Sequence, residues 1–316
     1  MPMGATPLTA TPLSPETNAV TFACPAKINL TLEVMGRRDD GYHTLRSVMV
    51  PLELADELQI VASSRFSFTC SDPSLAGDDN LVVRAARALD PLPLHALTLR
   101  KVIPTQAGLG GGSSDAAGVL RAAMSGAFGH TYVADWVALA RSLGSDVPFF
   151  LADSGALVEG TGERVTAVGA LPPWHVLVIK PPTAVSTAAA YAQLDRLSLP
   201  SRPRNTSASL AMLAALQRGD FDEVERTLSN DFHDVIASAT PEVARAIDAL
   251  RLAGSSNALL AGSGSAVFTL ARDARTVAEI GARLDLDGTY RRFPTAFAHG
   301  RSWRGSVALE ALGDKR

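Results

Sequence analysis

A glycine-rich segment, Pro104 to Gly118, constrains this chain more than any other stretch of it. Its sequence, PTQAGLGGGSSDAAG, lies between an apolar run typical of a strand and an alanine-rich run typical of a helix. Glycine permits backbone turns in which a Cβ atom would clash. The first N–H groups of the following helix have no partner inside that helix, and with the positive end of the helix dipole they suit a phosphate group. The segment therefore predicts a strand, a phosphate-binding loop and a helix.

Taken alone, the glycine-rich segment has two interpretations. It lacks the Gly-Lys-Ser/Thr ending of a Walker A loop and the third glycine of a dinucleotide fingerprint. A tight turn followed by a capped helix would use the same residues, with Ser113 or Ser114 as the cap. In the phosphate-binding interpretation, the same serines donate to phosphate oxygens. The segment by itself leaves both interpretations open.

Length and patterning predict two domains. The chain has 316 residues, 47% of them hydrophobic, and a chain of this length commonly divides into about two domains. Strand and helix patterns are mixed in both halves, which predicts an α+β fold. The segment LPPW marks the boundary, so we expect an N-terminal domain over 21–170 and a C-terminal domain over 171–299. We also expect a disordered tail over 1–20, rich in Pro, Thr and Ser, and a C-terminal extension over 300–316.

Charge, hydropathy and cysteine content argue against several functional classes. The net charge of −3 argues against a broad nucleic-acid surface. No apolar run approaches the roughly 18 residues that a membrane-spanning helix needs, and the N-terminus lacks the pattern of a secretory signal. Cys24 and Cys70 are expected to stay reduced in the cytoplasm. We therefore expect a cytoplasmic protein with no nucleic-acid or membrane partner.

Three shorter motifs carry groups that suit chemistry. Lys27 and Asn29 lie two apart in a strand pattern and so face the same side, either at an exposed polar edge or in a site. Asp146, in GSDVP, either forms a turn or accepts a proton beside a lysine. The segment LLAGSGSAVF, around Gly262, predicts either a hairpin turn or a second backbone segment close to a ligand.

The order of these motifs resembles that of the GHMP small-molecule kinases. The matching segments, from about residue 21 to 298, are PAKINL, GRRDDGYH, DDNLVVRA, PTQAGLGGGSSDAA, LGSDVPFFL and LLAGSGSAVF. DGYH and GGGSS are similar to the branch that phosphorylates the 2-hydroxyl group of 4-diphosphocytidyl-2-C-methyl-D-erythritol in non-mevalonate isoprenoid biosynthesis. The resemblance implies a two-domain α+β fold, with an N-terminal ATP domain like domain 2 of ribosomal protein S5 and a ferredoxin-like C-terminal sandwich. ATP and substrate would meet in the cleft.

The resemblance also implies roles for individual residues. Lys27 and Asp146 would be the catalytic pair. The loop around the ATP phosphates would consist of Pro104, Thr105, Gln106, Ala107, Gly108, Leu109, Gly110, Gly111, Gly112, Ser113 and Ser114. The substrate-binding residues would be Asn29, Tyr42, His43, Thr187 and Tyr191. The cytosine would lie between the two tyrosine rings and hydrogen-bond to His43. Mg²⁺ would accompany ATP, and the sequence leaves open both its protein ligand and the oligomeric state.

Alternative functions stay open on the sequence. A mevalonate- or homoserine-type GHMP kinase would carry a similar phosphate loop, although DGYH and GGGSS favour the cytidine branch. A catalytically silent GHMP-like ligand sensor would share the fold but would not need both Lys27 and Asp146. A Rossmann dehydrogenase is disfavoured, because the glycine loop lies about 100 residues into the chain and no acidic residue fits the ribose position about 20 residues later.

Overall fold

The computed structural model describes residues 19–152, 154–196 and 207–299, and these residues form two β-sheets with helices packed against them. The expected N-terminal tail and C-terminal extension lie almost wholly outside the described residues. The strands are β1 (Val20–Arg37), β2 (His43–Ala62), β3 (Ser67–Cys70), β4 (His95–Arg100), β5 (Gly155–Gly160), β6 (Arg164–Gly169), β7 (His175–Lys180), β8 (Ser229–Asn230), β9 (Leu259–Leu260), β10 (Val267–Ala271) and β11 (Arg291–Ala296). The helices are α1 (Leu81–Arg87), α2 (Gly111–Met124), α3 (Trp136–Leu143), α4 (Thr187–Asp195), α5 (Ala208–Arg218), α6 (Phe221–Thr227), α7 (His233–Ala239), α8 (Pro241–Leu252) and α9 (Ala274–Arg283).

The first sheet is built on the long antiparallel pair of β1 and β2. Its strands run in the order β3-β4-β2-β1-β8, and the hairpin of β5 and β6 joins it beside β2. The pairing of β1 with β2 shifts register between Pro25 and Lys27, and Pro25 has no N–H group to donate to the partner strand. Helices α1, α2 and α3 cover one face of this sheet with an apolar core.

Helix α2 begins directly at the glycine-rich segment, as the sequence predicts. Its N-cap is Gly110, which has a left-handed φ of +70° and makes no side-chain cap hydrogen bond. Ser113 and Ser114 therefore lie inside the first turn, and the interpretation that one of them caps the helix is wrong. A left-handed residue at the entry is a conformation that favours glycine over any residue with a Cβ.

The second sheet is antiparallel in the order β11-β7-β10-β9. Helices α4, α7, α8 and α9 pack against it around Ile179, Phe232 and Val277. A further apolar core joins the two sheets, with Ile28 of the first in the same cluster as Phe268 of the second. Within the described parts of the chain, no helix is long and apolar enough to cross a membrane.

The segment 221–236 differs from its prediction. Its pattern, FDEVERTLSNDFHDVI, predicts helix throughout, but the structure divides it into α6 and α7 around β8, which pairs in parallel with β1. The buried amide of Asn230 donates to the carbonyls of Leu260 and Gly262, at 2.8 and 2.7 Å. These tertiary hydrogen bonds override the local helix propensity, which is a weak determinant of structure.

Candidate active site

A cavity of about 540 Å³ is lined by residues from both halves of the chain. Most residues that the sequence assigns to a site line it together: Lys27, Asn29, all of Pro104 to Ser113, Asp146, Thr187 and Tyr191. Ser114 is fully buried beside this wall, and Tyr42 and His43 are not among the lining residues. The fold thus gathers residues that lie far apart in the sequence.

Lys27 and Asp146 form an ion pair inside this cavity. Nζ of Lys27 lies 3.5 Å from Oδ2 of Asp146, and the two side chains are 5% and 28% exposed. The same Nζ donates to Oδ1 of Asn29 at 2.9 Å, and Nδ2 of Asn29 donates to Oγ of Ser47 at 2.8 Å. These hydrogen bonds hold Nζ of Lys27 beside Asp146, whose carboxylate is the more exposed member of the ion pair.

The polar face of β1 is buried. Lys27, Asn29, Thr31 and Glu33 alternate along the strand, and each is at most 4% exposed. The interpretation of Lys27 and Asn29 as an exposed polar edge is therefore wrong. Since buried polar groups need partners, the hydrogen bonds of this face also fix the conformation of the strand.

Two glycine loops pack against each other beside Lys27. The amide of Ala266 donates to the carbonyl of Ala107 at 3.1 Å. A Cβ on Gly108, whose φ is +74°, would lie 1.9 Å from the carbonyl oxygen of Ala261. A Cβ on Gly262 would lie 3.1 Å from Nζ of Lys27. The predicted turn at LLAGSGSAVF is confirmed as the connection between β9 and β10, and it lies close to the phosphate-loop candidate.

Asn230 is hydrogen-bonded to the wall of this cavity, and the sequence analysis did not identify it. Its two hydrogen bonds to carbonyls anchor the second glycine loop, and its own Oδ1 accepts from the amide of Phe232 at 2.9 Å. Phe232 lines the cavity and makes a T-shaped contact with the Tyr191 ring, with centroids 4.9 Å apart. Asn230 lies within a sequence pattern that predicts helix, so its role was not apparent. The one local indication of a break in the helix is the Asn-Asp pair at 230–231, since both residue types favour turns.

A charged cluster at another part of the cavity wall was also missed. Nζ of Lys101 lies 2.5 Å from Asp56 and 2.6 Å from Asp115, and Lys101 and Asp115 line the cavity. Burial raises the pKa of Asp115 to about 8, with Asp56 acting in the same direction and Lys101 opposing it. Asp115 lies in the quoted motif GGGSSDAA, but its partners come from β2 and from the end of β4, so only strand pairing reveals the cluster.

The aromatic residues assigned to the substrate are arranged differently from the expected pair of facing tyrosines. The ring of His43 stacks on Tyr191, with centroids 4.5 Å apart and planes at 17°. Tyr42 is 67% exposed. His43, rather than Tyr42, thus covers one face of the Tyr191 ring. Burial raises the pKa of Tyr191 to about 12, with the Asp146 carboxylate acting in the same direction, so its phenol stays neutral.

Comparison with known proteins relates both halves of the chain to one family. The description "GHMP kinases N terminal domain" matches residues 80–154, and "GHMP kinases C terminal" matches residues 212–287. A 4-diphosphocytidyl-2-C-methyl-D-erythritol kinase of Pelotomaculum thermopropionicum is 39% identical over 84% of this chain and 93% of its own length. The protein of the same name from Deinococcus radiodurans is 43% identical over 79% of this chain and 83% of its own.

Solved structures agree with this relationship. A crystal structure of 4-(cytidine 5'-diphospho)-2C-methyl-D-erythritol kinase has a TM-score of 0.70 and 36% identity, covering 88% of this chain and 99% of that chain. A homoserine kinase from Cytophaga hutchinsonii has a TM-score of 0.60 at 18% identity, covering 91% and 96%. The second likeness concerns the fold alone.

Proposed function

The chain belongs to the family of 4-diphosphocytidyl-2-C-methyl-D-erythritol kinases within the GHMP kinases, and we propose that it transfers the γ-phosphate of ATP to the 2-hydroxyl group of 4-diphosphocytidyl-2-C-methyl-D-erythritol. The products are the 2-phosphate and ADP, in non-mevalonate isoprenoid biosynthesis. The two-domain α+β GHMP kinase fold predicted from the sequence is confirmed by this membership.

The ion pair of Lys27 and Asp146 is the observation that carries the proposal for the site. It lies in one cavity with the glycine loop Pro104 to Ser113 and the N-terminus of α2. A phosphate-binding wall and an acid–base pair within reach of it are the parts that phosphoryl transfer to an alcohol requires. A ligand sensor would need the wall but not the pair, so this observation favours an enzyme.

The tertiary hydroxyl group of the substrate is a poor nucleophile at neutral pH. Asp146 accepts its proton as the bond from oxygen to phosphorus forms and the bond to ADP breaks. Lys27 offsets the negative charge that develops on the attacking oxygen. The N–H groups of the glycine loop and of the first turn of α2 offset charge on the transferring phosphoryl group. Catalysis is thus mainly positioning and electrostatics.

The residues of this wall also fit a magnesium ion. Mg²⁺ commonly takes one or two protein oxygens and completes its shell with phosphates and water. Oγ of Ser114 is buried with no hydrogen-bond partner among the described residues, and Ser113 lines the cavity. One of these hydroxyl groups would hold the ion against the ATP phosphates, where the ion would neutralise their charge.

The cytidine end of the substrate is assigned to Tyr42, His43 and Tyr191, and the erythritol diphosphate to Asn29 and Thr187. Thr187 and Tyr191 lie on one helix, α4. Oγ1 of Thr187, its first residue, is hydrogen-bonded to Oγ of Ser263 in the second glycine loop at 3.0 Å. The acceptor site would therefore be built on elements that also touch the phosphate loop. Both cysteines of the chain are free thiols, in keeping with a cytoplasmic location.

A phosphate-transfer assay tests the function and the catalytic pair together. The purified protein is given ATP and Mg²⁺ with the cytidine diphosphate substrate, mevalonate or homoserine, and we expect transfer only to the first. Asp146→Asn should lower kcat by about 10²–10⁴, the usual contribution of a general base. Asp248→Asn, an exposed aspartate on α8, is the matched control and should keep wild-type rates. Transfer to mevalonate or homoserine alone would overturn the substrate, and near-normal turnover by Asp146→Asn would overturn the role of Asp146.

A further inference from the structure

Helix α4 contacts His43 through two side chains. Its ring lies on Tyr191, and its Nε2 is 2.7 Å from Oδ1 of Asp195. Tyr191 and Asp195 are four residues apart on the helix, so they share one face and both reach the start of β2. The side chain of His43 is 10% exposed, and the pair spans elements 152 positions apart in the sequence.

The hydrogen bond to Asp195 determines which nitrogen of the neutral imidazole carries the proton. An ionised carboxylate only accepts hydrogen bonds, so Nε2 of His43 must be the donor. In a neutral ring the other nitrogen, Nδ1, is then an acceptor. Among the described residues, no group is hydrogen-bonded to this Nδ1, whereas Nε2 is occupied. His43 is therefore set up to accept one further hydrogen bond in the plane of its ring.

Asp195 is itself held in place, but only loosely. Its Oδ2 lies 3.8 Å from Nη1 of Arg37, and the two side chains are 39% and 61% exposed. Arg37 is the last residue of β1, and its Nε donates to the carbonyl of Gly41, in the turn that precedes Tyr42, at 3.2 Å. The carboxylate thus links α4 to this turn, while its short hydrogen bond goes to His43.

We propose that Asp195 is a positioning residue that selects cytosine over uracil through the tautomer of His43. The inference rests on the proposed function, in which the substrate carries cytosine. The exocyclic amino group of cytosine donates a hydrogen bond, and Nδ1 of His43 accepts it. Uracil has a carbonyl oxygen at that position. This oxygen and Nδ1 of His43 are both acceptors, so neither would have a hydrogen-bond donor. A site built around one donor rejects an analogue that lacks it, because buried polar groups are then left without partners.

The test compares two substrates that differ only in the base. kcat/KM is measured with the cytidine and the uridine forms of the diphosphate substrate, and KM is measured separately for ATP. The wild type should prefer the cytidine form by at least tenfold. Asp195→Ala should lower this preference by tenfold or more, mainly by raising KM for the cytidine form, and should leave KM for ATP unchanged. Asp248→Ala, on α8, is the matched control and should keep the preference.

A spectroscopic measurement tests the tautomer without any substrate. Nitrogen-15 shifts of the histidine rings distinguish a protonated from an unprotonated Nδ1, and His43→Gln assigns the His43 signals among the six histidines. In the wild type we expect the proton on Nε2, and in Asp195→Ala a mixture of tautomers. Asp195→Asn is the second variant should the alanine variant not fold. The asparagine amide can donate to Nε2, which would place the ring proton on Nδ1. This variant should therefore also lower the preference for the cytidine form.

The outcomes separate this inference from the proposed function. A wild type that transfers no phosphate to either substrate contradicts the proposed function. The nitrogen-15 measurement then still tests whether Asp195 determines the tautomer of His43. A wild type that uses the cytidine form, together with an unchanged preference in Asp195→Ala, overturns the role of Asp195. Protonation of Nδ1 in the wild type at neutral pH overturns it as well.

Discussion

Replacing Gly108 with alanine tests whether the two glycine loops must touch for ATP to bind. The added Cβ would lie 1.9 Å from the carbonyl oxygen of Ala261 and 3.0 Å from the amide nitrogen of Gly264. Both are backbone atoms, so no side-chain rotation can relieve the contact. Gly129 is a matched control, because its φ of +79° is close to the +74° of Gly108 and its Cβ would meet no heavy atom within 4 Å.

Both substitutions place a Cβ on a residue in the left-handed conformation, but only Gly108→Ala also creates a steric clash. A residue with a Cβ pays about 1–2 kcal/mol in the left-handed conformation, so Gly129→Ala should lose roughly that free energy of unfolding. Gly108→Ala must also move one loop, and forcing atoms into a packed region costs about 1–3 kcal/mol. Its total loss of free energy of unfolding should be about 2–5 kcal/mol. The free energy of unfolding of a typical protein is about 5–15 kcal/mol, so much of the protein should stay folded.

Urea unfolding and ATP titrations measure both effects. The loop movement in Gly108→Ala carries Gly262 away from Lys27 and changes the wall of the phosphate site, so we expect KM for ATP to rise at least tenfold. Gly129→Ala should keep the wild-type KM for ATP. Equal destabilisation by the two substitutions, with an unchanged KM for ATP in Gly108→Ala, would refute the reasoning.

Three further predictions concern charge, acid stability and the exposed ring. Lys27→Ala should lower kcat much more than it raises KM for ATP, since its charge acts at the reacting oxygen; initial-rate kinetics would contradict this if only KM for ATP changed. Burial acts to raise the pKa of Glu33, but hydrogen bonds from Ser207 and the start of α5 outweigh it and hold the pKa below its usual range. Glu33→Gln should therefore cost free energy of unfolding at pH 7, and in urea titrations the difference from the wild type should vanish as the pH falls through the lowered pKa; a constant difference would count against it. Tyr42→Ala should raise KM for the cytidine substrate by about tenfold, the effect of roughly 1.4 kcal/mol, whereas Tyr132→Ala, also exposed at 72%, should not; equal KM values would remove Tyr42 from the site.

The sequence predicts much of the local structure because local structure depends on nearby residues. The glycines and alanines of Pro104 to Gly118 predict a loop that enters a helix, and α2 begins at Gly111. The same logic gives the turn of LLAGSGSAVF, which connects β9 and β10. The local prediction is wrong at 221–236, where the hydrogen bonds of Asn230 to a distant loop outweigh a helical pattern.

The chemistry of the candidate site depends on contacts that no local pattern contains. Residue types and motif order alone suggest Lys27 and Asp146 as a pair, but the 3.5 Å between them follows from how β1 and the segment after α3 meet. The cluster of Lys101 with Asp56 and Asp115 requires the register of β2 against β4. The contact of His43 with Asp195 requires α4 to lie beside the start of β2. Periodicity records which face of one element is apolar, whereas distances between elements are decided by packing of the whole chain.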